Sequence, residues 1–241
     1  MRILVVSDIH ANWPALEAIN EPHDVCLCLG DLVDYGPDPA ACVRWVMENA
    51  SYAVRGNHDH GVAQGVFVGG DRGYRYLTRA TRPLMWGALG PDERRYLLQL
   101  PLTQRFTLGG KRFLLVHGTP RDPLDEYLMK DPATWAKRLR RADADIVCVG
   151  HSHMQFNLMV DGVVVLNPGS VGQPRDGDPR AAYAIIEDGR ISLRRVEYAV
   201  DETISRLEST PFPEKAKQLY SQCLRLGRLP ESAGEDFEDE P

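Results

Sequence analysis

The sequence predicts an α/β fold, and three observations lead to that prediction. Short apolar runs that end on a polar residue alternate with amphipathic segments in the first part of the chain, which is typical of β-α-β units. Two Asp-Gly pairs, Asp161-Gly162 and Asp188-Gly189, stand between apolar runs and predict β-hairpins. Of the 241 residues, 43% are hydrophobic and 26% are charged, as in a globular protein that can form one compact domain.

The alternation begins with a strand predicted at Arg2–Asp8, where a continuous apolar run is closed by a carboxylate. A helix is predicted after it, with Asn12 as N-cap and Pro14 in the first turn. This order indicates a largely parallel sheet. A second strand, a second helix and a short third strand are predicted at residues 24–31, 37–50 and 52–57.

Between residues 61 and 100 the strand pattern stops, and two helices are predicted at 73–89 and 91–100, the first of them disturbed by Pro83. We expect this region to contribute to substrate specificity. The remaining predicted elements are a hairpin turning at Gly109-Gly110, a helix at 131–142, a strand at 145–151, hairpins at the two Asp-Gly pairs, and amphipathic helices at 201–209 and 213–227.

A single domain is predicted over residues 1–230, because no repeat, linker or shift in composition divides the chain. Residues 231–241 form an acidic segment with one aromatic residue, which we expect to be disordered and dispensable for activity. The sequence leaves the oligomeric state open.

Composition and charge narrow the classes of partner. The net charge of -6 gives no overall basic balance, which weighs against a large nucleic-acid partner. The nearest approach to a basic stripe is Tyr74–Pro83, which we interpret as a helix covering one side of a site. No apolar run approaches the roughly 18–20 residues that span a bilayer. Five cysteines in apolar runs are interpreted as reduced, buried thiols, and we expect a cytoplasmic protein that does not engage membranes.

Several apolar strands end on residues that bind metals. The seven-residue stretch Val54–His60 is the densest of them, but read alone it could be a turn. Because ligands gather at the carboxyl ends of strands in an open α/β sheet, five such motifs in order indicate one shared site. The residues at these strand ends are Asp8, His10, Asp31, Asn57, His58, His117, His151 and His153.

These motifs resemble those of the calcineurin-like metallophosphoesterases. The family order is D-x-H, GD-x-x-D, GNH-(D/E), a histidine after a strand, and GH-x-H. Here the motifs read SDIHAN, GDLVD, GNHD, VHG and GHSH, from Ser7 to His153. The later segment LNPGSVGQPRDGDPRAAYAI is similar to the small bacterial phosphodiesterase-like branch and extends the likeness to about Tyr198. The resemblance implies an αββα sandwich of two mixed β-sheets flanked by helices, so the parallel sheet would be only its central part.

The resemblance also implies a binuclear metal centre, in which a metal-bridging hydroxide attacks phosphorus in line. Asp31 is expected to bridge two divalent ions. A nitrogen and oxygen ligand set without thiolate suits Mn, the ion expected here, with Fe, Ni, Co or Zn as alternatives. The first ion would be completed by Asp8, His10 and His153, and the second by Asn57, His117 and His151.

His58 is implied by the resemblance to be the general acid or transition-state stabiliser near the leaving oxygen. Asp34 would hold its imidazole, and a carboxylate partner would favour the protonated ring that a proton donor needs. The alternative interpretation of Asp34 is a cap for the next helix.

One departure from the family pattern bears on the substrate. Ser/Thr protein phosphatases of this superfamily carry arginine directly after GD-x-x-D, where this chain has Tyr35. Arg175 and Arg180 could supply the missing positive charge from a loop, or they could pair with the neighbouring aspartates. Asn12 could face the site, but as an N-cap it needs no function.

The sequence therefore predicts a metal-dependent hydrolase of phosphate esters. A phosphodiesterase acting on a small or nucleotide-like substrate is the first hypothesis. The alternatives are a phosphomonoesterase, a dinucleoside polyphosphate hydrolase, and a protein-binding scaffold. A scaffold could have lost ligands, whereas this chain keeps all seven implied ligands and His58.

Overall fold

The structure, a computed structural model of the chain, describes residues 1–234. Most of the predicted acidic tail, residues 235–241, lies outside the described part. The strands are β1 Arg2–Val6, β2 Val25–Cys28, β3 Tyr52–Ala53, β4 Thr103–Leu108, β5 Lys111–Val116, β6 Ile146–Cys148, β7 Gln155–Val160, β8 Val163–Pro168, β9 Ala181–Glu187 and β10 Arg190–Val196. The α-helices are α1 Trp13–Glu17, α2 Pro39–Asn49, α3 Asn57–Gln64, α4 Gly73–Ala88, α5 Pro91–Gln99, α6 Pro132–Leu139, α7 Val200–Glu208 and α8 Glu214–Leu226.

The strands form two five-stranded mixed sheets. The first has the order β10-β9-β1-β2-β3, in which β1, β2 and β3 are parallel and β9 pairs antiparallel with both β1 and β10. The second has the order β4-β5-β6-β8-β7, with a parallel centre of β5, β6 and β8 and antiparallel edges. The expected sandwich of two mixed sheets is confirmed, and the parallel sheet inferred from strand-helix alternation accounts only for β1, β2 and β3 of the first sheet.

Alternate side chains of β1 face two different layers of the molecule. Ile3 and Val5 pack in a cluster with residues of the second sheet, whereas Leu4 and Val6 pack with the helices. Because successive side chains point to opposite faces of a strand, a strand apolar at every position can be buried on both sides. β1 therefore lies between the other sheet and a helical layer, which places its carboxyl end deep in the molecule.

The hairpin predictions are confirmed. The chain turns at Gly109-Gly110, at Asp161-Gly162 and at Asp188-Gly189, each time between antiparallel neighbours. Both residues of each pair have positive φ, the backbone that two-residue hairpin turns require.

Two helices differ from the prediction. α4 continues through Pro83 from Gly73 to Ala88. The lost hydrogen bond is offset by packing, because Leu77 and Met85 on its apolar face are almost fully buried. The segment predicted as the end of the third strand instead begins α3 at Asn57.

All five cysteines are buried free thiols, as expected. Within residues 1–234, no helix has the length and apolar character needed to cross a lipid bilayer.

A loop after β8 lies directly against the loop after β1. The backbone N–H groups of Val171 and Gly172 donate to the carbonyls of Ser7 and Asp8, both at 3.0 Å. A methyl group on Gly172 would stand 1.8 Å from the Ile9 carbonyl oxygen. Only glycine therefore permits this approach, which joins two loops at the same edge of the sandwich.

We predict that Gly172→Ala destabilises the protein, because the clash is with backbone and cannot be relieved by a side-chain rotation. The expected loss is about 2 kcal/mol or more in the free energy of unfolding, measured by chemical denaturation. Gly87→Ala in α4 is the control, because no atom beyond its chain neighbours and the backbone of its own helix lies within 4 Å of the added methyl. Equal stability of both variants would contradict the close approach of the two loops.

Candidate functional site

The predicted ligands lie together at one edge of the sandwich. They follow strands of both sheets, because the carboxyl ends of β1 and β2 point to the same edge as those of β5 and β6. All are buried or half-buried. Asp8 and His10 follow β1, Asp31 follows β2, Asn57 begins α3, His117 follows β5, and His151 and His153 follow β6.

The backbone of these loops is unusual. Five of the ligand residues have left-handed φ angles, which non-glycine residues adopt at a cost of roughly 1–3 kcal/mol each. Such conformations persist where the surrounding structure fixes them, and they are concentrated at functional sites. The angles are 54° for Asp8, 47° for His10, 56° for Asp31, 64° for His151 and 57° for His153.

Backbone carbonyls fix the orientation of the imidazole rings. In three of them Nδ1–H donates to a carbonyl, which turns Nε2 toward the centre of the site. In His151 the roles are reversed: Nε2 contacts the Asp125 carbonyl at 3.2 Å, and Nδ1 faces the centre. Carbonyl partners of this kind orient metal-binding histidines. They are Val33 for His10 at 3.0 Å, Leu29 for His117 at 2.8 Å, and Gln173 for His153.

The ring nitrogens that face inward approach each other closely. His10 Nε2 lies 3.2 Å from His153 Nε2, and His117 Nε2 lies 3.2 Å from His151 Nδ1. Asn57 Oδ1 is 3.1 Å from His117 Nε2. Two lone pairs at this distance repel each other unless a proton or a cation lies between them, so the arrangement fits metal ions.

Two carboxylates provide the negative charge. The Asp8 Oδ1 and Asp31 Oδ2 atoms are buried and face imidazole nitrogens, with no other hydrogen-bond partner among residues 1–234. Asp31 Oδ2 is 3.1 Å from His117 Nε2 and 3.8 Å from His10 Nε2, so it lies between the two groups of rings. Its other oxygen accepts the His58 backbone N–H at 2.9 Å. Asp8, His10 and His153 form one possible metal-binding group, and Asp31, His117 and His151 form another.

The charges of these groups depend on one another. Burial would raise the pKa of the Asp8 carboxyl, but the neighbouring His153 helps to outweigh it, and that pKa lies below its ordinary value. Burial opposes ionisation of Asp31 as well, yet His117 and its other imidazole neighbours hold the Asp31 pKa low. Burial would lower the pKa of His117, but Asp31 raises it to about 9. Burial lowers the pKa of His151 to about 3. Without a cation, His117 therefore carries a proton at neutral pH.

The predicted His58–Asp34 pair is also assembled. His58 Nδ1–H donates to Asp34 Oδ2 at 2.7 Å, and both side chains are buried. Asp34 caps no helix, because the N-cap of α2 is Asp38. Sequence reasoning missed Arg82, whose Nε donates to the same Asp34 oxygen at 2.8 Å. No local signal identifies Arg82, since nothing in α4 shows that this arginine points inward.

A cavity of about 880 Å³ opens above the ligands. Arg175 lines it, with its guanidinium carbon 4.1 Å from the centre of the Tyr74 ring. Its Nη2 is 3.4 Å from Gln173 Oε1, and its buried Nε has no hydrogen-bond partner within the described chain. Among those same residues Arg175 forms no ion pair, so its charge is available to an anion in the cavity.

Two of the predicted substrate-binding residues lie elsewhere. Arg180 is engaged with Asp178 at 2.6 Å on the surface. Asn12 caps α1 by accepting from the Ala15 backbone N–H at 3.4 Å, and its side-chain nitrogen donates to the Gly172 carbonyl at 2.9 Å. Asn12 therefore joins loops, and neither residue lines the cavity.

Comparisons with known proteins agree with this geometry. The family model described as the calcineurin-like phosphoesterase superfamily domain matches residues 1–189. An uncharacterised protein of Methanocaldococcus jannaschii is 32% identical over 252 residues, which cover 94% of this chain and 98% of that protein. A phosphodiesterase of Escherichia coli, YfcE, is 25% identical over 211 residues, which cover 80% of this chain and 91% of the relative. A crystal structure of a metallophosphoesterase from Sphaerobacter thermophilus is 33% identical and superposes with a TM-score of 0.80, covering 94% of this chain and 99% of that one.

We predict that His117 titrates near pH 9 in the metal-free protein, because burial of the ring is outweighed by Asp31. A metal ion must displace this proton, so the apparent metal affinity should weaken as the pH falls below that value. Nitrogen NMR of the imidazole rings checks this, with His23 as an internal control outside the site. A His117 ring that titrates equally with and without metal would contradict the assignment.

Proposed function

The chain belongs to the calcineurin-like phosphoesterase superfamily, and from that membership we propose that it is a phosphodiesterase with a binuclear metal centre. It is a hydrolase of phosphoric esters, and the proposal concerns the metal count, the residue roles and the small or nucleotide-like diester substrate. The observation that carries the proposal is the convergence of four imidazoles and two carboxylates on one buried centre beneath a cavity.

The ligand set supports two divalent transition-metal ions, with manganese as the expected one. Bound there, such ions would activate a water molecule and polarise a phosphoryl oxygen. The chain's own part is to hold the ions at a fixed separation, and Asp31 suits the position shared between them. The residues that would hold the ions are Asp8, His10 and His153 for one, Asn57, His117 and His151 for the other, and Asp31 for both.

His58 supplies the proton for the leaving oxygen in this proposal. Its Nδ1–H is held by Asp34, so Nε2 is the atom that can reach a substrate. His58 Nε2 lies 4.0 Å from Asp31 Oδ2, which puts the proton donor beside the centre where the phosphoryl group would sit. A fixed donor of this kind contributes typically about 10²–10⁴-fold to the rate.

Arg175 holds a phosphate oxygen in this proposal. Its guanidinium is half-buried, stacked on Tyr74 and free of carboxylate partners within residues 1–234. An arginine so arranged can donate two hydrogen bonds to a phosphate without losing an existing ion pair.

The size of the cavity favours a diester over a monoester. Tyr35 stands where the related protein phosphatases carry an arginine, and in this proposal Arg175 supplies that charge from another loop. The cavity of about 880 Å³ exceeds what a phosphate group alone would fill, which leaves room for organic substituents.

We predict hydrolysis of bis-p-nitrophenyl phosphate by protein loaded with Mn, Ni, Zn or Mg in turn, with the highest rate for a transition metal. Asn57→Ala should lose activity together with metal, as measured by metal analysis. His58→Gln should retain metal and lose about tenfold in kcat on this ester, and about 10²-fold or more on diphenyl phosphate, whose more basic leaving oxygen depends more on the proton donor. His23→Gln is the matched control and should behave like wild type.

Other outcomes would redirect the proposal. A preference for p-nitrophenyl phosphate would indicate a phosphomonoesterase, and activity confined to dinucleoside polyphosphates would indicate that class of hydrolase. No turnover of any ester by a chain that binds its metals would contradict an enzymatic role and favour the scaffold hypothesis.

We predict that Arg175→Gln raises KM for the diester by about tenfold, because a charge-assisted bond contributes about 1.5–3 kcal/mol. Steady-state kinetics checks this, and Arg180→Gln on the surface is the matched control. Identical kinetics for the two variants would remove Arg175 from substrate binding.

A further inference from the structure

Helix α4 lies across the His58–Asp34 pair and reaches both sides of it. Thr78 and Arg82 stand one turn apart on α4, so they lie on the same face of the helix. Their exposed fractions are only 4% and 9%, although both residues are polar. Buried polar side chains of this kind are found where they have specific partners.

Arg82 reaches the Nδ1 side of the His58 ring through Asp34. The Arg82 Nε and Nη2 atoms each lie 2.8 Å from Asp34 Oδ2, and Nη2 lies 3.2 Å from His58 Nδ1. Asp34 is fully buried and has a left-handed φ of 69°, so it depends on its partners to stay in place. Without Arg82, this carboxylate would lose its only ion pair with an arginine or lysine within the described chain.

The chain leaves room for this arginine. A methyl group on Gly61 of α3 would stand 2.3 Å from Arg82 Nη1. The guanidinium therefore fills space that a side chain would otherwise occupy, and α3 and α4 are fitted together around it. The position of Arg82 is fixed by both helices.

Thr78 reaches the Nε2 side of the same ring through Tyr35. The Thr78 and Tyr35 hydroxyl oxygens lie 3.1 Å apart, within hydrogen-bond distance, and the Thr78 hydroxyl also lies 3.0 Å from the Tyr74 carbonyl. The Tyr35 hydroxyl oxygen lies 3.2 Å from His58 Nε2. The Tyr35 backbone N–H donates to Thr81 Oγ1 at 3.2 Å, which ties this residue to α4 a second time. Both ring nitrogens of His58 are thus connected to one helix.

We propose that Arg82 and Thr78 are positioning residues for the proton donor, so that α4 fixes the His58 ring through Asp34 on one nitrogen and Tyr35 on the other. This inference rests on the proposed role of His58. It assigns to the region between residues 61 and 100 a part in the reaction that goes beyond covering the site. Both residues also line the cavity, but in this scheme each acts on the His58 ring through its neighbour.

The first test compares Arg82→Met with Arg79→Met, its matched control. Arg79 lies on the same helix and pairs with Asp71 near the surface. Two diesters are used, bis-p-nitrophenyl phosphate with a good leaving group and diphenyl phosphate with a poorer one. A proton donor matters most when the leaving oxygen is basic, so Arg82→Met should lower kcat about 100-fold on diphenyl phosphate and about fivefold or less on the nitrophenyl ester.

Further variants separate positioning from folding. Arg82→Lys should recover part of the loss on diphenyl phosphate, and Thr78→Val should show the same leaving-group dependence to a smaller degree. Metal content and the unfolding temperature are measured for each variant. Equal losses on both esters, or a loss that follows metal content, would overturn the positioning role.

A second readout does not need turnover. The Nδ1–H proton of His58 should give a slowly exchanging low-field NMR resonance, assigned by its absence in His58→Gln. We expect this resonance to be lost in Arg82→Met and retained in Arg79→Met. Its retention in Arg82→Met would overturn the inference. If wild type hydrolyses neither diester, the proposed phosphodiesterase function fails, and the resonance alone decides whether Arg82 fixes the ring.

Discussion

The structure depends on one electrostatic constraint, the meeting of imidazole nitrogens and carboxylate oxygens in a largely buried centre beneath the cavity. His10 and His153 face each other at 3.2 Å, as do His117 and His151. Such groups would repel or remain unsatisfied in a protein interior unless cations compensate them. The surrounding carbonyls add to the constraint, because they turn the inward-facing nitrogens toward the centre and prevent the rings from rotating away.

The scaffold accommodates this constraint by bringing the ends of two sheets to one edge. The ligand loops leave the strands with left-handed residues, and a loop after β8 is pressed against the loop after β1 without a side chain at Gly172. The same loop carries Arg175 to the cavity. The backbone strain at the ligands is therefore maintained by packing and by hydrogen bonds between loops that are far apart in the chain.

The proposed proton donor, His58, is likewise held by residues from other parts of the chain. Asp34 and Tyr35 come from the loop after β2, and their orientation depends on Arg82 and Thr78 of α4. The Arg82 guanidinium in turn lies so close to Gly61 of α3 that a side chain there would clash with it. The metal ligands and the proton donor are thus held by different elements that meet only in the folded chain.

The sequence by itself determined the hairpins, the N-cap at Asn12 and the set of ligand types. These features are encoded locally, by turn residues with positive φ and by polar residues placed directly after apolar strands. It did not determine that Arg175 would line the cavity while Arg180 paired with Asp178. Both arginines lie in the same loop, and in an irregular loop the spacing of two residues does not fix the direction in which each side chain points. Tertiary structure also decided that α4 continues through Pro83 and turns Arg82 inward, since long-range packing outweighs local propensity there. Contacts between residues far apart in the chain, such as that between Arg82 and Asp34, were decided only by the tertiary structure, because they depend on which buried charges come close enough to compensate each other.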